Sequence, residues 1–158
     1  TDKDLQRIVR YVRIPEDLEN RFKFGDQIWL QQWTLKSDVN VHACQSINVQ
    51  SWWGLQQAAT TNYSLSLTLV NTSDGQGVTH SDSAVGANET LLWQTKRSYF
   101  DERSLTIPCD LATGDYSLLY SVYSLQDNSI HYLAAAQSDD APLGNQLYLT
   151  TLHVQGAS

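Results

Sequence analysis

The chain has 158 residues, of which 41% are hydrophobic, 17% charged and 10% aromatic, with a formal net charge of −7. This composition is typical of one globular domain, and the negative charge argues against a nucleic-acid partner, whose phosphates require a basic surface. No apolar run approaches the roughly 18 residues that cross a bilayer, and no secretory signal segment opens the chain. Because the sequence begins at Thr1 and contains no Met, we expect it to be a piece of a longer protein.

Basic residues are concentrated at the N-terminal end. Residues 1–23 hold six of the ten Lys and Arg residues, whereas the rest of the chain is predominantly acidic. This shift predicts an N-terminal arm or linker over residues 1–23, followed by a folded domain over residues 24–158. Within the arm, Asp2–Arg10 and Pro15–Glu19 are candidates for short helical segments, although neither has an apolar stripe.

Alternation of apolar and polar residues dominates the remaining sequence. It is clearest over Tyr63–Leu69, where large apolar residues alternate with small hydroxyl residues, as in a half-buried strand. Two strand pairs are predicted as hairpins, with turns at Asn71–Gln76 and Gln126–Ser129. In chain order, the predicted strands are Gln27–Leu35, Ile47–Trp53, Tyr63–Leu69, Gly77–Ser81, Leu91–Thr95, Ser104–Pro108, Tyr116–Val122, Ile130–Ala136 and Gln146–Gln155.

Many short strands separated by turns predict an all-β fold. We expect a two-sheet antiparallel β-sandwich of immunoglobulin-like type, with a jelly roll as the alternative. Near the start of one strand, Asp110 and Gly114 favour a turn, and Tyr116 follows with its ring predicted to point inward. This arrangement resembles the tyrosine corner of immunoglobulin-like domains.

Two cysteines, Cys44 and Cys109, lie at the borders of predicted strands. They lack the C-x-x-C spacing of zinc or redox sites, so metal binding through sulfur is excluded. A disulfide between them would close a loop of about 65 residues and contribute roughly 4 kcal/mol of stability in the chain-entropy model. The alternative is two small buried thiols in a reducing compartment.

Catalytic motifs are absent from the sequence, so we expect no enzyme activity, no cofactor and no metal centre in this chain. His80 and Asp82 would share a strand face and could form a pair, but no third ligand is evident. The loop containing Asp139 and Asp140 has oxygen ligands without the spacing of a calcium loop. Four histidines are isolated from one another along the chain: His42, His80, His131 and His153.

Tryptophan residues are the remaining candidates for function. Trp29 and Trp33 are four residues apart and are predicted to share a strand face, whereas Trp52 and Trp53 must point to opposite faces. An exposed indole can lie against a sugar ring or an apolar patch of a partner, although core packing is the alternative for each indole. The candidate ligand-binding set is Trp29, Trp33, Trp52 and Trp53 as a stacking platform, with Gln31, Gln50 and Asp82 as polar groups.

Most of the chain resembles a known family. The stretches carrying the likeness are Phe24–Leu30, Ile47–Trp53, Tyr63–Val70, Asp74-Gly75, Asp82, Gly86, Thr90, Trp93, Pro108 and Asp110–Leu118. In this order they resemble the β-sandwich at the C-terminal end of many bacterial multi-spanning membrane glycosyltransferases. In their membrane part, those proteins look like dolichyl-phosphate-mannose mannosyltransferases. Two places depart from the family pattern: Lys96-Arg97 replaces a usual Gly-Glu pair, and Ala84-Val85 replaces a common Pro.

This resemblance implies an extracytoplasmic accessory domain, tethered to a membrane domain of the parent protein or secreted. The catalytic carboxylates of the family lie in its membrane region, so no position in this chain inherits them. We therefore expect a non-catalytic module of the cell envelope that binds a glycan or a lipid-linked sugar. A purely structural or protein-interaction role is the alternative, and a hydrolase or metal enzyme is a third reading.

Overall fold

A computed structural model describes residues 13–87 and 89–156 of the chain. The described residues form twelve β-strands and two short 3-10 helices, Val85–Ala87 and Thr90–Leu92. The strands are β1 Phe22–Phe24, β2 Ile28–Leu35, β3 Asn40–His42, β4 Ser46–Leu55, β5 Ser64–Asn71, β6 Gly77–Ala84, β7 Tyr99–Thr106, β8 Gly114–Gln126, β9 Ser129–Tyr132, β10 Ala135–Gln137, β11 Pro142–Gly144 and β12 Leu147–Gln155. No helix in this described part of the chain is both long and apolar enough to span a membrane.

The strands form two sheets that pack into a sandwich, which confirms the predicted all-β fold. The first sheet has the order β11-β10-β1-β2-β4-β7, and the second has the order β3-β12-β8-β5-β6, with β9 paired to the end of β8. The pairing between β3 and β12 is parallel, unlike the antiparallel pairings of the other described strands. The predicted domain boundary at residue 24 falls inside β1, so the first sheet includes Phe22 and Lys23.

The β5–β6 hairpin shows how side-chain alternation builds the sandwich. Leu65, Leu67 and Leu69 are fully buried, and the hydroxyl residues between them lie on the outer face, as predicted. Asn71 closes the turn, because its backbone N–H donates to Gln76 at 2.8 Å. The alternation therefore fixes both the strand and the face that packs against the first sheet.

One predicted strand divides between the two sheets. The stretch predicted as one strand over Ile130–Ala136 separates into β9, which pairs with β8, and β10, which pairs with β1. The chain crosses from the second sheet to the first between Tyr132 and Ala135. The prediction of a single strand is wrong because each half finds its backbone partners in a different sheet.

The segment Leu91–Thr95, predicted as a strand, is also different in the structure. Thr90–Leu92 forms a 3-10 helix, and the Thr90 hydroxyl donates to Thr61 at 2.8 Å and accepts from the Tyr63 N–H at 2.9 Å. These hydrogen bonds hold the segment in a local turn, so it pairs with no strand among the described residues. Residues 16 and 17 of the predicted Pro15–Glu19 segment form a turn without a helix, and Asp2–Arg10 lies outside the described residues.

A tyrosine corner and a disulfide secure the ends of the sandwich. The Tyr116 ring is buried and its hydroxyl donates to the carbonyl of Ala112 at 2.8 Å, which confirms the tyrosine corner. Cys44 and Cys109 are joined in a disulfide, one of the two states that the sequence left open. The disulfide connects the start of β4 to the end of β7 in the first sheet.

Candidate functional site

The outer face of the first sheet carries an accessible tryptophan. Ile28 and Leu30 on β2 are fully buried, so Trp29 between them points outward, and its side chain is only partly buried. In the sheet, Trp29 lies opposite Lys23 of β1 on one side and Gly54 of β4 on the other. An indole is therefore presented to solvent between a basic residue and a position with no side chain.

A cavity of about 260 Å³ opens beside this indole, which we call the Trp29 pocket. Its lining residues are Lys23, Asp26, Trp29, Gln56 and Gln57. The Trp29 Nε1–H donates to the Gln56 side-chain oxygen, which fixes the ring orientation. The Lys23 ammonium lies 6.0 Å from the centroid of the Trp29 ring, within the usual range of a cation–π contact. The pocket thus combines a flat apolar surface with charged and amide groups.

Trp33 does not join this surface, which corrects the prediction that Trp29 and Trp33 share a strand face. The register of β2 against β4 shifts between Leu30 and Gln32, so that Gln32 lies opposite Trp52 and Trp33 lies opposite the buried Ser51. Trp33 consequently packs against the core. This β-bulge inserts one residue and reverses the facing of every residue that follows it.

The tandem tryptophans of β4 point to opposite faces, as predicted. Trp53 is fully buried, and its ring lies 5.6 Å from that of Phe24 and 5.8 Å from that of Tyr120. Trp53 therefore belongs to the core and not to a ligand surface. Trp52 faces outward and packs against Phe100 with ring centroids 5.1 Å apart, which leaves it only 7% exposed.

Both predicted glutamines, Gln31 and Gln50, lie on the same outer face as Trp29. The Gln31 amide donates to the Asn20 side chain at 3.0 Å and accepts from the Ser98 hydroxyl at 2.7 Å. It passes over Gly54, where an added Cβ atom would lie 2.8 Å from Gln31 Nε2. Further along β4, the Gln50 amide donates to Glu102 at 2.6 Å.

Asp82 lies away from this surface, on the outer face of the second sheet. It accepts hydrogen bonds from Ser66 at 2.7 Å and Tyr123 at 2.8 Å, and it pairs with His80 at 2.8 Å. Burial raises the pKa of Asp82, but the bonds from these three side chains outweigh it, and the net result is a pKa below the ordinary value. Asp82 is therefore part of a separate polar cluster and does not orient a ligand beside Trp29.

Sequence reasoning missed the residues that complete the Trp29 pocket. The charge pattern predicts Lys23 as part of the arm, although its position between two Phe residues follows the alternation of a strand. Asp26 lies in the β1–β2 turn, which Gly25 allows with a φ of 59°. Gln56 and Gln57 follow the end of β4 and carry no motif that would have marked them.

A second cleft, of about 390 Å³, lies where β3, β12 and β8 meet. His153 Nδ1 is 2.6 Å from Asp115 there, and Asn40 and His42 line the same cleft. Apart from the imidazoles of His42 and His153, no aromatic ring lines this cleft. Across residues 13–87 and 89–156, no group of three or more His, Cys, Asp and Glu side chains is placed to hold a metal ion.

Similarity to a solved β-sandwich domain supports the fold. No family model matches the sequence, and no curated protein sequence matches it either. Among solved structures, the chain is similar to the C-terminal domain of Wzt, with 14% identity, 89% of this chain and 80% of the other covered, and a TM-score of 0.55. It also matches a CARDB domain from Pyrococcus furiosus solved with di-metal ions, with 10% identity, 85% of this chain and all of the other covered, and a TM-score of 0.43.

Proposed function

We propose that this domain is a non-catalytic glycan-binding module and that the Trp29 pocket holds a sugar residue. The observation that carries the proposal is a partly exposed indole, fixed by Gln56, at the wall of a cavity lined by amide and charged groups. Sugar rings have apolar faces that pack on indoles and hydroxyl rims that both donate and accept hydrogen bonds. Amide side chains supply both functions, because each carries a donor group and an acceptor group.

Neighbouring residues extend the same chemistry across the outer face of the first sheet. Gln31 and Gln50 lie on this face, and Gln32 lies opposite Trp52. A glycan longer than one sugar could therefore continue from the Trp29 pocket toward Trp52. A lipid-linked sugar presents the same ring chemistry at its terminus and fits the same site.

Binding is tested by isothermal titration calorimetry against a panel of glycans, with tryptophan fluorescence as a second readout. Trp29→Ala should weaken binding about tenfold or more, corresponding to about 1.4 kcal/mol. Trp33→Leu is the matched control, since Trp33 is also a partly buried indole of β2 but faces the core. Absence of binding to every glycan, with unchanged fluorescence, would refute the proposal.

We also infer an extracytoplasmic location, within a larger cell-envelope protein of the glycosyltransferase type that the sequence resembles. The disulfide between Cys44 and Cys109 supports this, because such bonds persist mainly in oxidising compartments. The test is alkylation of free thiols in native cells followed by mass spectrometry of the protein. We expect both cysteines to be protected until a reductant is added, and alkylation of both without reductant would contradict the inference.

A protein-interaction role is the second candidate, and the β8–β9 hairpin favours it. Leu125 and Ile130 are paired across the hairpin and are 65% and 53% exposed, with Tyr132 on the same face. Contiguous exposed apolar residues often mark protein contacts. Ile130→Ser should then weaken capture of a partner protein without changing glycan affinity. Trp29→Ala should weaken glycan binding without changing capture of that partner.

A further inference from the structure

We propose that the Trp29 pocket selects neutral sugar residues over acidic ones, because the fold neutralises the one cation that lines it. This inference rests on the proposed glycan-binding function and adds the class of sugar. Lys23 is the basic residue among the five that line the pocket. A free ammonium in that position would attract a sugar carboxylate, so the partners of Lys23 decide the charge that a ligand meets.

The first partner is Asp140, which pairs with the Lys23 ammonium. Asp140 belongs to the turn between β10 and β11 and has a φ of 71°, a conformation that Asp tolerates better than most residues. The turn is held by the Asp140 N–H, which donates to Gln137 at 2.9 Å, and by the Gln137 N–H, which donates to Ala141 at 2.9 Å. This hydrogen-bonded turn therefore places the Asp140 carboxylate against Lys23.

The carboxylate of Asp26 also acts on Lys23. Asp26 lies in the β1–β2 turn and lines the pocket itself. The hydrogen bond that Lys23 donates to Asp140, together with the charges of Asp140 and Asp26, raises the pKa of Lys23 despite partial desolvation. Lys23 is therefore protonated and already paired at neutral pH, and the charges of two carboxylates act on one ammonium.

This charge balance penalises an acidic ligand. A sugar carboxylate gains little from Lys23, because Asp140 already offsets the ammonium charge, and it faces repulsion from the Asp26 carboxylate that lines the pocket. A neutral sugar is not repelled, because its hydroxyls can accept a hydrogen bond from Lys23 and donate one to Asp26. The indole of Trp29 packs equally well against either ring, so the difference between the two classes comes from charge.

The experiment uses matched sugars that differ only at the sixth carbon: methyl glucoside with methyl glucuronide, and methyl galactoside with methyl galacturonide. The wild-type domain should bind the neutral member of a pair about tenfold more tightly or better. Asp140→Asn releases the Lys23 ammonium and should reduce this ratio at least about threefold. Asp139→Asn is the matched control, because Asp139 is the adjacent carboxylate of the same turn and bonds the Ala141 N–H; it should leave the ratio unchanged.

The possible outcomes separate the two proposals. Equal or tighter binding of the acidic members by the wild-type domain would overturn the inference and leave glycan binding intact. A ratio unchanged by Asp140→Asn would also overturn it, because the ion pair would then not set the selectivity. No binding of either class, extended to a panel of longer neutral and acidic glycans, would overturn the proposed function itself. High salt should shrink the neutral preference if charge is its origin.

Discussion

Two carboxylates of this protein each form the centre of a hydrogen-bonded cluster, but in opposite surroundings. Asp101 lies between the sheets with its side chain 2% exposed. It accepts two hydrogen bonds of 2.7 Å from the Arg103 guanidinium and one of 2.8 Å from the Gly86 N–H. Arg103 in turn donates to the carbonyl of Leu65 at 2.7 Å and to that of Ser81 at 3.2 Å, which connects the first sheet to the second.

Asp82 has a comparable set of partners on the outer face of the second sheet, where its side chain is 30% exposed. Water can replace these partners of the partly exposed Asp82 more readily than it can replace Arg103 beside the buried Asp101. From this comparison we expect burial, rather than the number of hydrogen bonds, to decide how strongly a charged cluster contributes to the stability of this sandwich.

The largest expected effect is the loss of Asp101. Asp101→Ala leaves the Arg103 charge buried without its counter-ion and should lower the free energy of unfolding by about 3–5 kcal/mol, measured by urea denaturation. Glu102→Ala is the matched control on the adjacent, outward-facing position of β7 and should cost less than about 1 kcal/mol. Equal losses in the two variants would contradict the distinction between the interior and the surface.

Removing both members of the buried pair should be less harmful than the sum of the single changes. In a double-mutant cycle of Asp101→Ala and Arg103→Met, we expect a coupling energy of about 1–3 kcal/mol, because each single variant strands the other charge. The measurement is urea denaturation of the four proteins. Additive losses would show that the charges do not stabilise each other.

Tyr120 offers a test of burial with an uncharged side chain in the interior of the sandwich. Its hydroxyl donates to Ser51 at 3.2 Å, so Tyr120→Phe should cost about 1 kcal/mol at pH 8. Burial raises the pKa of Tyr120 far above its ordinary value. Because the folded pKa is raised, the neutral hydroxyl of Tyr120 stabilises the fold below the unfolded pKa of about 10. This stabilisation is lost as the pH rises from that value toward the folded pKa.

The stability gap between the wild-type protein and the Tyr120→Phe variant should therefore narrow between pH 8 and about pH 11. Urea denaturation at the two pH values measures it. Tyr148→Phe is the control, since Tyr148 is 56% exposed and bonds Thr151 on the surface. A gap at Tyr120 that stays constant across this range would contradict the burial argument.

The smallest effect is expected at Asp82. Asp82→Asn should cost less than about 1 kcal/mol at neutral pH, because the site is partly exposed. Because the folded pKa of Asp82 is lowered, the stabilisation that Asp82 contributes to the fold is present above the unfolded pKa of about 3.9. This stabilisation is lost as the pH falls through the folded pKa. Unfolding measured from pH 6 downward should show the difference from the wild-type protein disappearing in acid.

Glycan affinity provides the control for this variant. Asp82→Asn should leave binding at the Trp29 pocket unchanged, because the two sites lie on different sheets. A loss of glycan binding in Asp82→Asn would place the ligand on the second sheet.

The candidate site was only partly predictable because a single bulge separates Trp29 from Trp33. A regular strand would place both indoles on one face, and nothing in the local sequence marks the extra residue between Leu30 and Gln32. Lys23 shows a different limit. Its charge resembles that of the preceding arm, and only its pairing with Trp29 and Asp140 identifies it as part of the pocket.

The sequence by itself determined the all-β class, the two hairpins, the tyrosine corner and the opposite facing of Trp52 and Trp53. These features depend on neighbouring residues, whose alternation and turn chemistry act within a few positions of the chain. Only the tertiary structure decided the division of the Ile130–Ala136 stretch between two sheets, the bulge in β2 and the burial of Asp101. Each of these depends on backbone pairing and packing with strands far away in the sequence, which local periodicity does not encode.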